Sequence, residues 1–161
     1  MWVSLWKLQI PNAGKNFLWR ACHEILPTKA SLCRRKVTRD ALRPICDLEE
    51  ETCFHILWDC LSARDVWGGS RRKVQKSAFD GPSFGGVVEE IFKRCDEEEI
   101  HLFAGTARRV WLWRNDVVHR GPFLNPMVLV QQANDALSDF SAAMLSRESN
   151  TPPWLQKTRW E

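Results

Sequence analysis

The stretch RPICDLEEETCFHILWDC, residues 43–60, decides how this chain is organised. It holds three of the six cysteines and one of the four histidines, and Cys46, His55 and Cys60 follow the spacing C-x8-H-x4-C. Thiolate and imidazole are ligands of tetrahedral Zn²⁺, and spacings this short allow one small loop to close around the ion. The stretch therefore predicts three of the four ligands of a structural zinc site.

The spacing alone does not supply the fourth ligand. A cysteine three residues before Cys46 would complete a C-x2-C pair, but that position holds Arg43, which stays charged and cannot ligate a metal. Cys53 or a nearby acid could be the fourth donor if the chain turns between Cys53 and His55. The alternative is a metal-free loop that its helices and tryptophans hold together.

Helical geometry sets a further condition on this site. A continuous helix would separate His55 from Cys60 by five residues, or about 140° around the helix axis. That separation suits one ion poorly, so metal binding requires a break in the helix near Asp59.

Two more sequence blocks precede this stretch. The first is WKLQIP (residues 6–11) followed by KNFLWRACHEILPTK (residues 15–29), and the second is LCRRKV (residues 32–37). In this order, and together with residues 46–67, they resemble the zinc-binding domain (zf-RVT) found after the reverse transcriptase in plant LINE-type, non-LTR retrotransposons. Later in the chain, RVWLWRNDVVH (residues 109–119) looks like the connector ahead of an RNase H-like domain in these elements.

The resemblance implies a fragment of a retrotransposon polyprotein that lacks the polymerase and the RNase H domain. It implies a non-catalytic accessory domain that binds Zn²⁺ and helps to hold RNA or DNA near the polymerase. No membrane and no small-molecule substrate are expected as partners, and the oligomeric state stays open. Two positions depart from the family's pattern, since Arg43 replaces its first zinc cysteine and Leu61 replaces a common proline.

A basic segment lies just before the cysteine-rich loop. Residues 29–43 contain six basic residues against one acid, Asp40. Guanidinium and ammonium groups contact phosphates well, because counterion release favours binding. The alternative is an ordinary solvated face. The candidate nucleic-acid contacts are Arg34, Arg35, Lys36, Arg39 and Arg43.

Composition limits the other function classes. The net charge of +3 is mild and does not by itself indicate a nucleic-acid partner. No signal peptide and no run of about 18 apolar residues are visible, so an intracellular location, in the nucleus or cytoplasm, is expected with reduced thiols. Cys53 and His55 resemble a thiol nucleophile with its base, but no orienting acid or oxyanion motif accompanies them. We therefore expect no enzyme activity.

The hydrophobic pattern predicts a mainly α fold, in which a small zinc-knuckle-like helical domain is followed by a helical extension. Apolar residues recur at helical spacing in residues 15–26, 87–94, 98–119 and 126–147, and Thr28 can cap a helix to residue 36. The expected organisation is an extended entry (1–14), a zinc-binding-like domain (15–67), a linker (68–86), a helical connector (87–148) and a disordered tail (149–161).

Overall fold

The computed structural model describes residues 1–47, 49–75, 79 and 81–149, except for the side chains of residues 147–149. Its described part contains no β-strand, and one isolated antiparallel bridge joins Leu42 to Glu50. The predicted mainly α fold is confirmed. A π-helical turn, His55–Asp59, lies between the third and fourth helices. The α-helices are α1 (Trp2–Lys7), α2 (Asn12–Cys22), α3 (Lys29–Arg34), α4 (Leu61–Gly68), α5 (Arg72–Gln75), α6 (Phe84–Arg94), α7 (Glu97–Val118) and α8 (Pro126–Ser149).

The start of the chain is helical, so the extended conformation predicted for residues 1–14 is wrong. Helix α1 covers Trp2–Lys7, and α2 already begins at Asn12, directly after Pro11. Pro11 is the N-cap of α2, where its missing N–H costs the helix no hydrogen bond. Leu5, on α1, is fully buried, and burial of such apolar side chains stabilises a six-residue helix that would not persist alone in water.

The helices that follow end and begin at local signals. Helix α2 ends at Cys22. Just after it, Glu24 adopts a positive φ of 54°, and the N–H of Ile25 donates to the carbonyl of Arg20. Thr28 then caps α3 as predicted, since its Oγ1 accepts a hydrogen bond from the backbone N–H of Ser31 at 3.1 Å. These two signals direct the chain towards the basic segment and the loop after it.

The predicted linker, 68–86, is not irregular throughout. It contains the short helix α5, and Ser83 caps α6, which begins three residues earlier than the periodicity indicated. Residues 76–78 and 80 lie outside the described part. The predicted disordered tail also lies outside it, apart from Ser149, at which α8 ends.

Helix α7 organises the hydrophobic core. It packs against α8, against α2 and against the π-helical turn. Trp67 of α4 stacks on Phe103 of α7 with ring centroids 5.0 Å apart, and Phe84 of α6 stacks on the same ring at 6.0 Å. The buried cluster includes residues from Leu5 to Val130, so the cysteine-rich loop and the later helices share one core. The predicted domain boundaries remain a prediction.

The structure also bears on membrane insertion. None of the described helices is both long enough and apolar enough to cross a membrane.

Candidate metal centre

A tight turn carries Cys46. The backbone N–H of Arg43 donates to the carbonyl of Glu49 at 3.0 Å, and the N–H of Asp47 donates back to the carbonyl of Arg43 at 2.8 Å. Asp47 has a positive φ of 49°, which lets the chain reverse direction there. Residues 43 and 46 therefore lie on a single turn, and the Cys46 thiol points towards the helix that follows.

The second part of the site is a helix with a widened turn. Thr52 begins it, because its Oγ1 accepts the N–H of His55 at 3.0 Å. The N–H of Cys60 donates to the carbonyl of His55 at 3.0 Å, five residues back, which is π-helical geometry. Cys60 itself has φ −59° and ψ 143°, so the helix stops there. The break that the sequence required near Asp59 is confirmed, and no proline produces it.

Three donor atoms meet at this break. The ligand atoms of Cys46, His55 and Cys60 all lie within 4.8 Å of one another, and Cys46 Sγ is 3.3 Å from His55 Nε2. His55 and Cys60 are buried and Cys46 is half-buried. In a tetrahedral zinc site, sulfur and nitrogen donors lie about 3.5 Å apart. These three donors are therefore spaced like three of the four ligands of a zinc site, and among the described residues the group contains no fourth.

The second ring nitrogen of His55, Nδ1, lies beside an acid. It lies 3.2 Å from a carboxylate oxygen of Glu49, although the two are not aligned as a hydrogen bond. A carboxylate beside one ring nitrogen favours the proton there and leaves the other nitrogen as a metal ligand. Glu49 thus places a carboxylate beside Nδ1, while Nε2 faces Cys46. The sequence showed Glu49 only as one member of an acidic run.

Cys53 is not brought to this group. Its backbone N–H donates to the carboxylate of Glu24 at 3.3 Å, and its thiol is buried next to that acid and to Cys22. Burial first, and the nearby Glu24 second, raise the pKa of the Cys53 thiol, and the same two causes raise the pKa of Cys22 to about 12. Both thiols are therefore neutral at pH 7.

Arg43 is fully buried, with 0% of its surface exposed, so its predicted role in phosphate contact is wrong. Its Nη1 donates to the backbone carbonyl of His55 at 3.3 Å, while Nε and Nη2 have no hydrogen-bond partner. Burial lowers the pKa of this guanidinium, and the charges of Cys60, Cys46 and Glu51 oppose that shift. The side chain that replaces the family's first cysteine thus lies in the interior, against the backbone of His55, rather than in solvent.

The other four candidate phosphate contacts are exposed. Helix α3 ends at Arg34, and Lys36 adopts a positive φ of 59° in the turn after it. The acid of this segment, Asp40, is paired with Lys29 at 2.6 Å. No ion pair involves the four within the part of the chain that the structure describes. The exposed residues are Arg34, Arg35, Lys36 and Arg39.

The sequence did not indicate the pair that ties this loop to α7. Glu51 is fully buried and accepts two hydrogen bonds from the guanidinium of Arg114, one of them 2.8 Å long from Nε. The same carboxylate accepts the backbone N–H of Lys29 at 2.8 Å. Glu51 is one of three consecutive acids, and its pairing with a distant arginine, together with the bond from Lys29, accounts for its burial.

This arrangement defines a class of protein, namely a helical domain with a short loop whose cysteines and histidine face one point. Residues 1–67 match the model of the zf-RVT family, described as zinc-binding in reverse transcriptase. The resemblance that the sequence blocks indicated is therefore confirmed for residues 1–67.

A relative extends the match beyond this segment. A protein of Arabidopsis thaliana named as a putative ribonuclease H protein is 25% identical over 114 residues, which cover 68% of this chain and 18% of the relative. The chain thus spans less than a fifth of that relative's length. No solved structure matches the chain.

Proposed function

We propose that this chain is a non-catalytic accessory domain of a LINE-type reverse transcriptase, and that its basic segment binds RNA or DNA. The observation that carries this proposal is the exposed group Arg34, Arg35, Lys36 and Arg39, directly before the loop of a reverse-transcriptase zinc-binding domain. Lys29 neutralises Asp40, so these cations face solvent without a competing free acid in their segment. Exposed cations on one turn can follow a phosphate backbone.

The remaining residues of the predicted site enter this proposal as follows. Cys46, His55 and Cys60 are the donors that a zinc site of this family would use, and the nucleic-acid contacts proposed here do not depend on bound Zn²⁺. Polymerase and nuclease activities would belong to other parts of the parent protein. The chain would act inside the cell, in the nucleus or cytoplasm. Arg43 makes no phosphate contact, because its side chain is fully buried, and Cys53 is buried beside Glu24, away from the three donors.

A salt titration of binding to a single-stranded RNA of about 20 nucleotides tests the proposal, with fluorescence anisotropy as the measurement. Each phosphate contact to a single strand contributes about −0.7 to the slope of log K against log salt. Four contacts predict a slope of about −3, and the variant Arg34→Ala/Arg35→Ala should reduce it by about 1.4.

A matched control removes two cations elsewhere. Arg64 and Lys93 are exposed and already paired with Asp59 and Glu89. The variant Arg64→Ala/Lys93→Ala should leave the slope almost unchanged. Equal losses in both variants would mean that net charge, and not the basic segment, attracts the RNA.

A second candidate function is a helical scaffold that binds no nucleic acid or that binds a protein through residues 87–147. The observation in its favour is the continuous hydrophobic core, which joins the loop to α7 through side chains alone. Absence of RNA and DNA binding at low salt by the intact, folded chain would favour this candidate.

A further inference from the structure

The loop around residues 43–60 is closed by protein contacts on three sides. The backbone of Arg43 pairs with Glu49, its side chain donates to the carbonyl of His55, and Glu51 is held by Arg114. These contacts join the turn that carries Cys46 to the helix that carries His55 and Cys60. Joining these two arms is the task of the metal in a structural zinc site.

The guanidinium of Arg43 is buried next to the residue that supplies the imidazole donor, since its Nη1 donates to the carbonyl of His55 at 3.3 Å. Residue 43 lies on the same turn as Cys46, where the backbone N–H of Asp47 donates to the carbonyl of residue 43 at 2.8 Å. Two of the guanidinium nitrogens, Nε and Nη2, have no acceptor although they are buried. A group that donates hydrogen and carries a fixed positive charge offers no lone pair to a metal.

The charge of Arg43 also opposes a dication. Water screens this repulsion little, because the arginine is fully buried and His55 and Cys60 are nearly so. Glu51, whose charge acts on Arg43, is already engaged by Arg114. Glu49 lies beside Nδ1 of His55 rather than beside its donor nitrogen Nε2. Bound Zn²⁺ would therefore lie close to a fixed, buried positive charge.

We propose that Arg43 takes the place of both the fourth ligand and the metal. The buried arginine holds the cysteine-rich loop closed, and the chain folds without zinc. The three remaining donors form a latent site, which a single cysteine at position 43 would complete. This inference concerns the loop alone and does not rest on nucleic-acid binding, so the zinc and salt measurements can fail independently.

The test is zinc content and chelator sensitivity of the full chain. Samples are dialysed with zinc and then without it, zinc per chain is measured by elemental analysis, and the helical circular dichroism is followed with excess EDTA. We expect no retained zinc and an unchanged helical signal for the wild-type chain and for Cys60→Ser. We expect about one zinc per chain in Arg43→Cys, with an affinity at least about 100-fold above wild type, because a complete ligand exceeds the effect of an outer-shell partner.

The control Arg43→Cys/Cys60→Ser should lose this zinc again. One zinc per wild-type chain that resists dialysis would overturn the proposal, as would loss of the wild-type helical signal in EDTA. Failure of a folded Arg43→Cys chain to gain zinc would also contradict it.

A second variant covers the case in which Arg43→Cys does not fold. Arg43→Met replaces the charged guanidinium with an apolar side chain of similar length and adds no strong ligand. Its affinity for zinc, measured by competition with a chromogenic chelator, should exceed that of the wild-type chain about tenfold or more if the charge repels the ion. Equal affinities would show that Arg43 does not oppose the metal.

Discussion

Arg114 on α7 donates two hydrogen bonds to the carboxylate of Glu51, although the two residues lie 63 positions apart in the chain. The arginine lies with its guanidinium 5.2 Å from the ring centroid of Trp111, and the carboxylate is fully buried. Since Glu51 also accepts the backbone N–H of Lys29, one side chain connects α3, the cysteine-rich loop and α7. The position of the loop therefore depends on a helix that begins almost fifty residues later.

Arg114→Ala should strongly destabilise the chain. It leaves the Glu51 carboxylate buried without its partner, and breaking a buried ion pair in this way costs about 3–5 kcal/mol. The free energy of unfolding, measured with urea, checks this value. Arg64→Ala is the control because it breaks an exposed pair with Asp59, for which we expect a loss below about 1 kcal/mol. Similar small losses in both variants would show that the buried pair does not hold the loop.

Phe103→Ala tests whether the loop and the later helices form one cooperative unit. The Phe103 ring contacts Trp67 and Phe84, and its removal leaves a cavity where α4, α6 and α7 meet. We expect a loss of about 3–5 kcal/mol in the free energy of unfolding. Val37→Ala, at a largely exposed position, should change it little.

Two spectroscopic probes of the Phe103→Ala variant show whether the chain unfolds as one cooperative unit or as two. Tryptophan fluorescence and far-UV circular dichroism should give coincident unfolding curves if the core is shared. Two separate transitions, with only one of them shifted by Phe103→Ala, would instead support the domain division predicted at residues 68–86.

Acid should weaken the fold partly through Asp40 and Asp96. The side chain of Lys29 lowers the pKa of Asp40 below its ordinary 3.8, and the backbone N–H of Glu99 at the start of α7 lowers the pKa of Asp96. A carboxyl whose pKa is lower in the folded chain stabilises it above the unfolded value of 3.8. That contribution is lost as the pH falls through the lower, folded pKa.

The variant Asp40→Asn/Asp96→Asn removes both titrations and keeps a side-chain oxygen at each position. Its free energy of unfolding should therefore fall less steeply than that of the wild type between about pH 5 and pH 2. Urea titrations at several pH values give both curves. Parallel curves would mean that other acids cause the acid sensitivity of this chain.

Much of the fold could be predicted because its information is local. Apolar residues at helical spacing indicated α2, α6, α7 and α8, and Thr28 provided a recognisable helix start. Short helices without such a pattern were missed. Helix α1 exists because Leu5 is buried against other elements, and no local rule contains that contact.

The candidate site divides in the same way. Residue type and spacing alone indicated which donors the loop carries, Cys46, His55 and Cys60, and the charge of the segment before it. The directions in which those groups point depend on the packing of the whole chain. That packing set Cys60 back towards His55 through a π-helical turn, and it turned Arg43 into the interior. Ligand spacing and charge follow directly from the order of residues. Burial and pairing depend on distant partners, as Glu51 depends on Arg114.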